Sequence, residues 1–200
     1  MAHATREALS GKLPLHVTLR VVESVASLRR EPVMEIVRKA VEVGGRHEDF
    51  RIVEFNVLGN HLHFIVEASS ALALGRRMQG LTVRLARRIN RELGRSGTLF
   101  AERYHARTLT SPRAARNAIR YVLLNARHHA AERGEALSRG WVDPFSSGPW
   151  FGGWDGEMRV DQPWLKKLVR RPSPCAQPRT WLLSEGWRKG GLIGFDEVPG

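Results

Sequence analysis

Gly59-Asn60-His61-Leu62-His63-Phe64-Ile65-Val66 is the stretch that decides the fold. Gly59-Asn60 sits between two apolar runs, the pattern of a two-residue hairpin turn. The strand leaving that turn has a side-chain period of two. His61 and His63 therefore share one face, and Leu62, Phe64 and Val66 share the other, which points to a core. Two neutral imidazoles side by side on a sheet can chelate one divalent metal.

Moving outward, Arg51 to Leu58 is apolar and β-branched enough to be the partner strand. Leu15, Val17, Leu19 and Val21 alternate with His16, Thr18 and Arg20, which reads as an earlier half-buried strand. Val33, Ile36, Val37, Ala40 and Val41 fall at helical spacing, and Gly44-Gly45 ends that helix. Downstream, Leu74, Met78, Leu81, Leu85 and Ile89 make the apolar stripe of a longer helix bounded by Gly94 and Gly97. Tyr104 to Leu109 suits a fourth strand. Ser111-Pro112 then offers an N-cap followed by Pro at the first helical position, opening a third helix to about Arg133. The order β-α-β-β-α-β-α predicts an α+β fold: a ferredoxin-like split β-α-β antiparallel sheet plus one extra helix. That helix is expected over the sheet face that carries His61 and His63, a face that His16 shares if the registers align.

The chain has 200 residues and a net charge of +12. Between Ala71 and Arg133 lie 14 arginines, no lysine and three acids, a local charge of +11. Such a balance points to a polyanionic partner, nucleic acid before membrane, and arginine suits bidentate phosphate contact. Arg77, Arg84, Arg88, Arg91 and Arg95 form one stripe of the second helix. With Arg120 and Arg127 of the third helix they are the expected nucleic-acid-binding residues. Cys175 is the sole cysteine, which excludes an internal disulfide and a cysteine-based zinc site. A reducing cytoplasm, near the nucleoid, is the expected location. No signal peptide and no membrane span are expected.

Tyr121 and Asn125 are four residues apart, and thus on one face of the third helix, at the edge of the stripe formed by Ala115, Ala118, Ile119, Val122 and Ala126. A phenol can attack a phosphodiester and keep the bond energy in a phosphotyrosine. Its ordinary pKa near ~10 makes it a weak nucleophile at neutral pH. Bound Mg2+ or Mn2+ would polarise and orient the scissile phosphate. Two imidazoles and an amide oxygen suit such an ion. Tyr104, the other tyrosine, lacks a ligand four residues on. His105, His128 and His129 read as surface residues or phosphate contacts.

His61-Leu62-His63 flanked by apolar residues, followed by a helix with Tyr121-Val-Leu-Leu-Asn125, resembles the single-tyrosine HUH transposases. The similarity is greatest to the REP-associated tyrosine branch of the insertion-sequence-200 transposases. The family's usual Pro-Asn-His-hydrophobic-His reads Gly59-Asn60-His61-Leu62-His63 here, and its Tyr-Ile-x-x-Asn-Pro ends in Ala126. Phe100 to Arg107 and His16 to Arg20 resemble the family's last and first strand regions. The resemblance spans roughly Leu13 to Ala130. It implies that Tyr121 is the nucleophile and that His61, His63 and Asn125 are metal ligands. The implied substrate is single-stranded DNA beside a hairpin, cleaved and rejoined. Some relatives work as homodimers and others as monomers.

Residues 13–133 are thus expected to form the catalytic domain, and 134–200 a Trp/Gly/Pro-rich extension. All six Trp and seven of ten Pro fall in that extension. So many indoles predict that it packs on the main domain. The alternative function is a non-catalytic or domesticated nucleic-acid binder on the same fold.

Overall fold

The computed structural model describes residues 11–199. The expectation of no signal peptide falls on the first ten residues, outside the described ones. Strands β1 (Leu15–Arg20), β2 (Phe50–Val57), β3 (His61–Ala68) and β4 (His105–Thr108) alternate with helices α1 (Glu31–Gly44), α2 (Ala71–Glu92) and α3 (Pro112–Glu132) in the expected order. The four strands make one antiparallel sheet in the order β2-β3-β1-β4, as the ferredoxin-like pattern requires. Ser70 and Ser111 cap α2 and α3 by accepting from the amides of Ala73 and Ala114.

Leu15, Val17 and Leu19 join Leu62, Phe64 and Val66 in the larger core, beneath α1 and α2. The opposite face is partly covered by α3, whose Ala115, Ile119, Val122 and Leu123 cluster with Val53 and Ile65. A bulge makes this second core possible. Ile52 pairs with Val66 but Glu54 with Ile65, so Val53 is one residue extra. Both Val53 and Glu54 thereby turn toward the α3 side.

The turn between β2 and β3 closes with the Leu58 amide on the His61 carbonyl at 2.9 Å. A tight hairpin usually takes positive φ at one or both central residues. Here Gly59 and Asn60 do without it, because the segment after β1 braces the turn from outside. Leu28 N–H donates to Gly59 O at 2.8 Å and Val21 N–H to Asn60 O at 2.9 Å. A side chain at 59 would meet only Ser27 Oγ, at 3.9 Å, so the shape of the turn does not depend on a glycine there.

The C-terminal segment adds short helices α4 (Pro163–Val169) and α5 (Trp181–Ser184), and a small parallel pair, β5 (Trp154–Asp155) with β6 (Ile193–Gly194). It folds against the sheet domain. The Val57 amide donates to Phe145 O and the Ser147 amide to Phe55 O, at 2.8 and 2.9 Å, covering the outer edge of β2. Trp187 is buried in the α3 core. Trp164 and Trp181 remain 38% and 49% exposed, so the aromatic content is not all buried. The Trp181 ring instead lies beside the Lys189 ammonium, 5.1 Å from its centroid. Among the described residues no helix is long and apolar enough to cross a membrane.

Asp143 anchors this segment. It is 1% exposed, takes two bonds from Arg29 at 2.8 and 2.9 Å, and accepts from the Phe145 amide at 3.0 Å. Asp143→Ala would leave those donors unpaired and should cost about 3 kcal/mol, read as a lowered urea midpoint. An unchanged midpoint would show that the anchor is elsewhere.

Glu54 gives a pH signature. Burial pushes its carboxyl up to about 8, against a Ser147 hydroxyl bond that pulls down. The Cys175 thiol is the other titratable group beside it, and the α3 residue against it is the apolar Ile119. Unfolded Glu54 ionises above its ordinary value of 4.5, while the folded group keeps its proton. The Glu54 contribution should therefore be full below ~4.5 and fall by on the order of 4 kcal/mol as pH rises to about 8. Urea titrations of wild type and Glu54→Gln across that range test this. The variant should lack the decline, and a matching decline in both would assign it to another group.

Candidate active site

Strand register brings the polar residues of three strands onto the α3 face. His61 lies opposite Arg20, His63 opposite Thr18, and His105 and Arg107 opposite Thr18 and His16. The His61 and His63 ring centroids are 4.6 Å apart, edge to face. Tyr121 projects from α3 onto this group, 5.2 Å from His63 and 5.8 Å from His16, again centroid to centroid. Both β3 histidines use Nδ1 inside the protein. His61 Nδ1 meets Asn60 Oδ1 at 2.5 Å, and His63 Nδ1 meets His16 Nε2 at 3.0 Å and Thr18 Oγ1 at 3.2 Å. The remaining nitrogen of each, Nε2, has no hydrogen-bond partner among the described residues.

The electrostatics suit lone-pair donation. Burial, then His16, His61 and His129, hold the His63 imidazolium far below its ordinary range. Burial lowers His16 to about 4, with Arg107, His105 and His61 adding to it. His61 is lowered too, by burial and then by His129 and Arg20. All three rings are thus neutral near pH 7 and able to ligate.

Asn125 lies one turn beyond Tyr121 and is fully buried, with neither amide atom partnered among the described residues. His63 Nε2 is buried and, among the described residues, unpartnered as well. Orphaned buried polar atoms are costly. An amide four residues along α3 from Tyr121 and an imidazole nitrogen on the ring beside that tyrosine are the donor types a borderline divalent ion takes. The residues present therefore fit a metal.

Asn56 was not singled out from the sequence, although a polar residue inside the apolar run of β2 is a visible signal. It pairs with His63 across the strands, is fully buried, and donates to Val122 O at 2.6 Å. That bond fixes α3 over β2 next to Tyr121. His128, His129 and Glu132 bring three further ligand atoms within 4.8 Å of one another at the end of α3. They are bound to each other, at 3.3 Å for His128–Glu132 and 2.7 Å for His129–Glu132.

The arginines expected to bind nucleic acid divide by environment. Arg77 is paired with Asp49 at 2.7 Å. Arg95 donates to Asn90, Ser24 and Thr98. Arg84 has a buried guanidinium nitrogen close to Gly44 of α1. Arg120 is held by Glu197 at 3.3 Å. Arg127 is buried and donates to the carbonyls of Leu137 and Ser138 at 2.9 Å. Arg88 and Arg91 are exposed, as is Arg87, and they line a shallow groove with Val83. This groove is on α2, the layer of the sheet opposite Tyr121. Nearest the histidines are Arg20 and Arg107, which belong to the site face itself.

A ferredoxin-like sheet thus carries a histidine pair on one strand and meets a tyrosine from a covering helix. The family model described as Transposase IS200 like matches residues 10–123. The chain belongs to the IS200-like transposase family, and its function is of the transposase, DNA-directed type. A solved structure of a REP-associated tyrosine transposase bound to a REP hairpin shares its fold. The TM-score is 0.52 at 18% identity, covering 74% of this chain and 82% of that one. No curated protein sequence matches the chain.

Proposed function

We propose that this protein is a single-tyrosine DNA transesterase that cleaves and rejoins single-stranded DNA beside a hairpin. The observation that carries the reading is the convergence of Tyr121, His61 and His63 on one sheet face within one chain. The site as built needs no residue from a second copy. Residues 13–133 form the catalytic part and 134–200 the extension that buttresses it.

In the forward step the Tyr121 oxygen attacks a backbone phosphorus. The phenol proton leaves to water, the phosphorus–oxygen bond to the departing strand breaks, and that oxygen takes up a proton as a free hydroxyl. The other strand end stays as a phosphotyrosine. Attack on it by a strand hydroxyl reverses the step, giving rejoining or exchange. His61, His63 and Asn125 would hold Mg2+ or Mn2+, which when bound supplies Lewis acidity and orientation at the scissile phosphate. Arg20 and Arg107 would hold the flanking phosphates. Incubating wild type with single strands from the gene's own flanks, with Mn2+ or EDTA, tests the reading on a denaturing gel. A covalent adduct with Mn2+ alone supports it. Tight binding without an adduct returns the chain to the non-catalytic alternative.

His16 supports His63 from behind, as outer partners of metal-bound histidines do. His16→Gln is expected to weaken Mn2+ binding about tenfold or more, measured by the free-ion resonance signal during titration. Unchanged affinity would remove His16 from this role.

A further inference from the structure

The last turn of α3 carries a side-chain cluster that the transesterification does not use. His128 and His129 follow Tyr121 by seven and eight positions, two turns along the same face. Glu132 is four residues past the first and three past the second, so its carboxylate reaches both rings. His128 Nε2 lies 3.3 Å from Glu132 Oε1, and His129 Nδ1 lies 2.7 Å from Oε2. The two ring centroids are 5.4 Å apart. One ligand atom from each of the three side chains falls within 4.8 Å of the others. All three side chains are partly exposed, so an ion can reach them from solvent.

In a chain this rich in arginine, an exposed glutamate ordinarily finds a guanidinium. Among the described residues no Lys or Arg bonds Glu132. Arg133, the next residue, turns instead to Glu135, at 2.7 and 2.8 Å. The carboxylate is left to imidazoles alone, at the helix end where the backbone dipole favours a cation. Two imidazoles and one carboxylate are the donor set of zinc and its neighbours rather than of magnesium. Ligand bonds of about 2.1 Å would draw the donors to within ~4 Å of one another, a closure that small rotations of exposed side chains supply. Each imidazole then carries its proton on the other ring nitrogen. The cluster borders the candidate active site, since the charge of His129 is felt at both His61 and His63.

We propose that His128, His129 and Glu132 form a second metal site, for Zn2+ or a like ion, whose open position takes a phosphate oxygen of the bound strand. It shares no ligand with the site of His61, His63 and Asn125. The phosphate contact rests on the reading of the chain as a single-strand DNA protein, and the metal site does not.

Co2+ is the probe, because its visible absorption reports nitrogen and oxygen ligation. The full chain with His61→Ala and His63→Ala, which silence the other site, would be titrated with Co2+, and its affinity for one single strand followed by anisotropy. One ion should still bind. Adding Glu132→Gln or His129→Ala should weaken it at least about a hundredfold, more than the loss of an outer partner of a metal-bound histidine. Co2+ should tighten strand binding about tenfold, and should not when Glu132 is also changed. Co2+ affinity that is the same with and without Glu132 would make the cluster an ion pair only and overturn the site. Saturation with Co2+ and no gain in strand affinity would overturn the phosphate contact and uphold the metal site. Absence of strand binding by every protein, wild type included, would overturn the DNA reading, with the Co2+ titration still deciding the metal site.

Discussion

Tyr121→Phe should abolish the protein–DNA adduct and lower strand cleavage at least about a thousandfold, the scale of loss when a covalent nucleophile is removed. The ring should stay where it is, because phenylalanine keeps the ring that packs edge to face with His63 and His16. Binding to single strands should therefore be nearly unchanged, and should weaken steeply with salt in both proteins. A denaturing gel for the adduct and anisotropy for binding separate the two effects. Tyr104 is the internal control. It is buried in the α1–α2 core, on the other face of the sheet from the histidine pair, so an adduct that survives Tyr121→Phe would remove the tyrosine mechanism proposed above.

His63→Ala should have the second largest effect. It deletes a buried nitrogen that has no partner among the described residues and also the contact that holds His16 and Thr18. Cleavage should fall about a hundredfold or more, with a parallel loss of Mn2+ affinity. EDTA should reproduce the loss in wild type and add little in the variant. Folding should survive, since the removed ring carries no backbone bond of β3. Cleavage by His63→Ala at the wild-type rate in EDTA would show that the histidine pair is not a metal site. An equal loss of strand binding and cleavage would favour the non-catalytic alternative, in which these residues only contact DNA.

The element order was legible because each local signal was strong and uncontested. The strand alternation of Leu15 to Val21, the Ser111-Pro112 cap and the apolar stripe of α2 each depend on neighbours close in sequence. The site pairs were legible for the same reason, since a period of two on β3 and a four-residue step on α3 are local rules. The arginine stripe shows the limit of such rules. A helix face rich in Arg reads as one surface, yet Asp49, Ser24 and Gly44 lie far from it in sequence and take up Arg77, Arg95 and Arg84. Arg127 looks like its neighbours on paper, but the chain returns at Leu137 and Ser138 to bury it.

The sequence by itself determined which residue types stand at which spacing: an imidazole pair on a strand, a phenol and an amide one helical turn apart, and a surplus of arginine. Tertiary structure decided what those residues face. Antiparallel register sets His16, Thr18, Arg20 and Arg107 beside the histidine pair. The bulge at Val53 turns Glu54 into a cavity that the C-terminal segment completes, and the Asn56 bond to Val122 seats α3 so that Tyr121 reaches His63. Periodicity is a property of the backbone and can be read along it. Register, bulges and the docking of one segment on another depend on contacts between residues distant in the chain, and only the folded chain brings these together.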